Sequence, residues 1–205
     1  MAAPRRTQSE RRAATRERLV DAMIATLAEH GYAAATTQRV LDEAKVSVGG
    51  MYRHFPTRMD LVVAAAETLR ERQFDAFTVG LEAIGTRPEV ECIQLLRAAC
   101  RRRDNGAWYD LLVAARSDGD LRARLAPFTQ SYHARILELA RSLPVAERWG
   151  PGAFAAAVFS VIHMLDGEAI AAVVHPQPEL EELRTELMAA ILRGEAAPPG
   201  LRGSA

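Results

Sequence analysis

Among the side chains between Thr36 and Arg58 that can donate hydrogen bonds are the hydroxyls of Thr36, Thr37 and Ser47, the phenol of Tyr52, the guanidinium groups of Arg53 and Arg58, and the imidazole of His54. Groups of this kind bind phosphate oxygens and the acceptor edges of bases. Their spacing dictates how they must be held. Thr36 is a candidate N-cap for a helix whose apolar face carries Val40, Leu41 and Ala44. Lys45 and Val46 form a tight turn, and Ser47 can cap the next helix. Met51 and Phe55, at i and i+4, give that helix an inner face; Gly49, Gly50, Tyr52, Arg53 and His54 fall opposite. Pro56 stops it and Thr57 can cap the one that follows. A short helix with a small, basic, hydroxyl-bearing outer face, braced by the helix before it, has the geometry of helix-turn-helix DNA readout.

The run Val46-Ser47-Val48-Gly49-Gly50-Met51-Tyr52-Arg53-His54-Phe55, followed by Arg58 and Leu61, resembles the signature of the TetR family of bacterial transcriptional regulators. Upstream, Leu19, Val20, Met23, Ile24 and Leu27 line one face of a first helix, which His30-Gly31-Tyr32 ends with Gly31 as the C′ glycine. The resemblance spans roughly residues 15–65, the size of a small domain. It implies that the outward residues of the third helix lie in the major groove. Val48, Gly50 and Arg53 then become candidates for base contacts, beside Gly49. Tyr52, His54 and Arg58 become candidates for phosphate contacts, with Thr36 and Thr37 at the start of the second helix. Arg53 would pair bidentately with guanine, Val48 would offer methyl groups to thymine, and Gly50 would allow close backbone approach. The plain alternatives are that Tyr52 covers a core edge and His54 is a solvated imidazole. Three positions depart from the family pattern: Lys45 stands where glycine is usual, Leu41 where a small alanine is, and Thr37 where an apolar residue is.

The charge is unevenly placed. The 205 residues carry no net charge, yet residues 1–60 hold 10 Lys/Arg against 7 Asp/Glu, and residues 61–205 hold 16 against 19. Arg5, Arg6, Arg11, Arg12, Arg16 and Arg18 concentrate the positive charge ahead of the helix-turn-helix. A basic head on an acidic body suits contact with phosphate at one end; a solvated charged arm is the alternative. With 49% hydrophobic residues a sizeable core is available, and abundant alanine with few aromatics favours helices, so the expected fold class is all-α. Cys92 and Cys100 fall on one expected helix, roughly 12 Å apart, too far for a disulfide; a reducing cytoplasm is the simpler setting. The opening Met-Ala-Ala-Pro-Arg-Arg lacks the apolar core of a signal peptide. Phe154–Val174 could suggest a membrane span, but His163, Asp166 and Glu168 interrupt it, so a buried helix and no membrane partner are expected.

About nine helices are expected. Residues 1–8 read as a disordered arm, 9–57 as the helix-turn-helix domain, 58–193 as a helical ligand-binding and dimerisation domain, and 194–205 as a flexible tail. The third helix is expected over 48–55, the fourth from Arg58 towards Val79, the fifth over 88–103, and the sixth over 107–116. The seventh is expected over 121–142, bent at Pro127, the eighth over 153–174 and the ninth over 179–192.

The family resemblance implies a pocket for a small-molecule effector among helices 4–7 and a homodimer through helices 8 and 9, residues 153–193. Trp108, Tyr109, Arg116, Phe128, Gln130, His133, His163 and Asp166 are polar or aromatic groups within apolar helices, hence candidates for the pocket; a satisfied core or surface group is the alternative for each. His163 and Asp166 share a helix face, which suits a ligand contact, a buried ion pair or an interface contact. No metal spacing links His133, His163 and His175, and no cofactor is expected. The function expected is a ligand-responsive repressor released from a palindromic operator in double-stranded DNA. An activator, an enzyme and a non-specific architectural protein are the alternatives. The last two lack support: no Gly-x-Ser-x-Gly elbow, P-loop or dinucleotide fingerprint is present, and neither is a large basic excess.

Overall fold

The computed structural model describes residues 7–195. Arg5, Arg6 and most of the expected arm lie outside the described residues, as does the expected tail from residue 196. Among the described residues the regular structure is entirely helical: α1 (Gln8–Ala34), α2 (Thr37–Ala44), α3 (Val48–Tyr52), α4 (Arg58–Leu81), α5 (Pro88–Cys100), α6 (Asn105–Ala114), α7 (Gly119–Arg141), α8 (Pro151–Ala171) and α9 (Glu181–Leu192). Two 3₁₀ turns, Pro144–Arg148 and Pro178–Leu180, which the sequence pattern left as connections, each begin on the proline.

The chain forms two compact units whose division is not linear. One holds the described residues up to Arg72 together with Arg103–Ala126; the other holds Gln73–Arg102 and the described residues from Pro127. Thus α6, expected in the body, belongs with the helix-turn-helix, and α4 and α7 each contribute to both units.

In the first unit α1 starts on a capping box: Thr7 accepts from the Glu10 amide at 3.2 Å and Glu10 returns a bond to the Thr7 amide at 2.7 Å. Leu19, Met23 and Leu27 are fully buried with Val40, Met51, Leu61 and Val62. α1 is kinked before its end at Gly31, whose φ of 75° and ψ of 171° only glycine adopts without strain. α6 packs on α1, so Ala107, Trp108 and Leu111 complete this core.

In the second unit α5 packs against α8 and α9. Phe154, Val158, Val161 and Leu165 of α8 are buried with Ile93, Trp149 and Met188. Part of the apolar surface of α8 is therefore covered inside the chain. By length and composition α8 could cross a membrane, but these contacts give its apolar face a protein neighbour. Pro127 sits inside α7 without ending it. A buried ion pair, Arg97 with Glu168 at 2.7 Å, ties α5 to α8, and Arg97 also donates to Thr185 Oγ1 and the Glu181 carbonyl of α9.

Candidate nucleic-acid interface

α2 and α3 are built as their end residues require. Thr36 accepts from the Arg39 amide at 3.3 Å, and Ser47 accepts from the Gly50 amide at 3.1 Å. Between them Lys45 takes φ 53° and ψ 45°, the left-handed conformation that glycine takes more easily, and its amide bonds the Leu41 carbonyl. The turn geometry thus survives the absence of glycine.

α3 is shorter than expected. It ends at Tyr52, and Arg53 and His54 form the turn after it. Two adjacent glycines propagate a helix poorly, and Pro56 disfavours helical backbone at Phe55. Met51 and Phe55 still face the core. Val48 and Tyr52, one helical turn apart, stand outward at 51% and 50% exposure. Gly49 is exposed, and a Cβ built on it would meet nothing within 4 Å. Gly50 corrects the sequence reading: it is buried, and a Cβ there would lie 2.8 Å from Val46 Cγ1 and 3.2 Å from Ser47 Oγ. Its amide is occupied by the Ser47 cap, so it faces the helix-turn-helix interior rather than an outer partner.

Arg53 is exposed, with Nε fixed on the Gly49 carbonyl at 3.1 Å. That bond orients the guanidinium along the outer face. His54 is partly buried; burial first, then the cations of Arg12, Arg53 and Arg16, depress its pKa below the usual imidazole value. Arg16 lies with its guanidinium 5.1 Å from the Phe55 ring centroid. Thr36 is exposed and Thr37 half-buried at the start of α2.

Arg58 is engaged inside the protein. Its Nε donates to the Ala35 carbonyl and its Nη2 to the Tyr32 carbonyl, both at 2.7 Å, and its guanidinium stacks 4.7 Å from the Tyr32 ring centroid. These bonds strap the start of α4 to the α1–α2 connection. Tyr32 in turn donates from its hydroxyl to Asp118 at 2.9 Å. The Asp118 carboxylate also accepts from the Leu121 amide, and that bond first, then Tyr32, holds its pKa below the usual carboxylate value. The Thr57–Asp60 pair caps α4, and Arg124 bonds Asp60.

The residues expected at an effector pocket divide between the units. In the first, Trp108 is core with Arg70 5.0 Å over its ring, the Tyr109 hydroxyl accepts from buried Asn105 at 2.7 Å, and Arg116 is exposed. In the second, His133 lies 4.7 Å from the Phe159 ring and Phe159 stacks 6.0 Å from His163, while Phe128 and Phe74 both contact Tyr132. Gln130 and His163 are exposed. Asp166 accepts from the Cys100 thiol at 3.6 Å. A buried ion pair of this unit, Arg97–Glu168, is one that the residue pattern did not single out. No group of three or more His, Cys, Asp or Glu suited to a metal occurs among the described residues.

Residues 19–65 match the family described as "Bacterial regulatory proteins, tetR family". The chain is 39% identical over 189 residues to an uncharacterized HTH-type transcriptional regulator of Mycobacterium tuberculosis, covering 91% of this chain and 97% of that protein. Among solved structures, a transcriptional regulator from Rhodococcus sp. Rha1 superposes with a TM-score of 0.71 at 22% identity, covering 89% of this chain and 99% of that one. The multidrug binding protein EbrR complexed with imidazole gives a TM-score of 0.66 at 24% identity, covering 93% and 97%.

Proposed function

Because this chain belongs to the tetR family of bacterial regulatory proteins, we propose that it is a homodimeric transcriptional repressor which leaves an inverted-repeat operator when a small apolar or aromatic molecule binds. It works in the cytoplasm by binding, not by turnover. The observation that carries the reading is the outer face of α3: exposed Val48, Gly49 and Tyr52, with Arg53 oriented along them, on a helix braced by α2. Val48 and Arg53 read bases, Gly49 permits close approach, and Tyr52, His54, Thr36 and Thr37 contact backbone phosphates. Arg58 positions this face from behind.

A second copy packs against α8 and α9. Ile170, Leu183 and Leu187 remain outward there, and Val173 and Val174 are 84% and 89% exposed. A groove of about 390 Å³ lined by Gly167, Ala171, Leu187 and Met188 of these helices suits an incoming side chain. Two-fold pairing of the recognition helices then requires an inverted-repeat site.

The effector binds the second unit at the rings of Phe128, His133, Phe159 and His163. Apolar walls with a few polar groups suit such ligands, and EbrR, bound to imidazole, offers a parallel on the same fold. α4 runs unbroken from Arg58 to Leu81, a continuous route between the units. Only an effector with different affinities for the DNA-bound and free states can release DNA, and operator must then weaken effector binding by the same factor. Duplexes retained from a randomised pool identify the operator. Candidate effectors are then titrated with and without it, using the fluorescence of Trp149. Equal effector affinity in both titrations overturns the coupling; absence of any retained duplex overturns the repressor itself.

A further inference from the structure

Both ends of the α2–α3 pair are tied to one further helix, the start of α7. Asp118, the residue before α7, accepts from the Leu121 amide on one oxygen and from the Tyr32 hydroxyl on the other, each at 2.9 Å. Tyr32 lies just ahead of the Thr36 cap of α2, and its ring and carbonyl hold Arg58. That is the tie at the entry. At the exit, Arg124 of α7 bonds one oxygen of Asp60, whose other oxygen accepts from the Thr57 amide at 2.9 Å and hydroxyl at 2.8 Å. Thr57 follows closely on the end of α3 at Tyr52 and caps α4. The two ties join residues 86 and 64 positions apart in sequence, so neither belongs to a local turn. Asp118, Leu121, Arg124 and Leu125 recur at helical spacing, which brings both ties and two buried leucines onto one face of α7. Burial of Leu121 and Leu125 holds α7 against this core but is non-directional. Hydrogen bonds are directional, so the two polar ties fix the angle that apolar packing leaves open.

We propose that Asp118 and Arg124 are positioning residues for DNA binding: from the start of α7 they grip the entry and the exit of the α2–α3 pair, through Tyr32 and Asp60, and set the angle at which α3 is presented. The proposal rests on α3 being the recognition helix. Neither residue touches DNA. Each acts by raising the population of the one orientation of α3 that fits the groove, and apparent affinity falls by whatever fraction of that population is lost. Arg58 joins the two grips, because its guanidinium lies on the Tyr32 ring while its backbone sits in the first turn of α4 beside Thr57.

The test uses the full-length chain and the duplex that the wild type enriches from a randomised pool. Affinity is measured across salt concentrations, well below the melting temperature of every variant, where circular dichroism shows full helix content. Tyr32→Phe keeps the ring under Arg58 and deletes only the hydroxyl that Asp118 accepts from. Arg124→Ala cuts the other tie at a half-exposed side chain, and Arg124→Lys keeps a cation facing Asp60. Tyr32→Phe and Arg124→Ala are each expected to weaken binding by about two- to tenfold, the range that one net hydrogen bond supplies to an orientation equilibrium. The slope of log affinity against log salt is expected to stay at the wild-type value, because no phosphate contact is removed. Arg124→Lys is expected to restore most of the affinity. A merely structural tie would lower the melting temperature and leave the affinity of the folded protein unchanged. Wild-type affinity in either Tyr32→Phe or Arg124→Ala, or a salt slope that falls with the affinity, therefore overturns the proposal. The recognition-helix reading survives that outcome if Arg53→Ala still alters which duplexes are selected; if the wild type enriches no duplex, both fall.

Discussion

Arg53 and Arg58 stand five residues apart with the same charge, and their surroundings give them different tasks. Arg53 is anchored by Nε alone, which leaves its outer nitrogens for a base edge. Arg53→Ala is expected to relax preference at one position per half-site and to cost about 1–3 kcal/mol there, measured by competition between operator variants. Arg58 spends its Nε and Nη2 on the Ala35 and Tyr32 carbonyls. Arg58→Ala is expected to lower stability by about 2–3 kcal/mol in denaturant titrations, since charged hydrogen bonds in a half-buried setting are lost. It should weaken all DNA sequences alike. The adjacent glycines separate in the same way. Gly49→Ala meets open space, so it should stabilise the fold by up to about 1 kcal/mol through helix propensity, yet weaken DNA binding by obstructing close approach. Gly50→Ala forces a new Cβ against stiff, β-branched Val46, so its melting temperature should fall instead. A rise in melting temperature for both variants would contradict the inward placement of Gly50. The sequence separated Met51 and Phe55 from Tyr52 correctly because their chemistry differs. It could not separate Gly49 from Gly50, since a glycine carries no side chain by which burial can be read.

At the scale of elements, legibility followed local signals. α2 begins and ends as its Thr36 cap and its apolar spacing require, and the Gly31 break is visible from glycine alone. The overrun of the expected third helix arose because spacing registers a face and not the helix-poor glycines within it. Pro127 lies within α7 and the helix continues beyond it. The assignment of α6 to the first unit depends on contacts with α1 some 80 residues earlier, and the local pattern around Trp108 carries no trace of them. The same holds for Arg97, whose partners lie on two other helices. Arg97→Ala would strand Glu168, whose side chain is only 5% exposed. Removing one partner of a buried pair costs about 3–5 kcal/mol, and the lower end is expected because Arg101 and Arg184 remain near Glu168. Thermal or urea denaturation measures the loss; a change below about 1 kcal/mol would show that the pair contributes little.

At the scale of the whole molecule, the account requires two copies to act together. Leu183 and Leu187 are exposed on α9 within a chain whose other large apolar side chains are mostly buried. Leu183→Glu/Leu187→Glu should yield a folded monomer in sedimentation experiments and lose most operator affinity, because each half-site then binds alone. A variant that remains dimeric would place the interface elsewhere. The most direct test of the central claim, that the outer face of α3 reads DNA sequence, is sequencing of duplexes retained from a randomised pool by the wild type and by Arg53→Ala side by side. The expected result is an inverted repeat for the wild type, with preference lost at one symmetric pair of positions in the variant. No enriched motif, or the same motif at every position in both proteins, would contradict it.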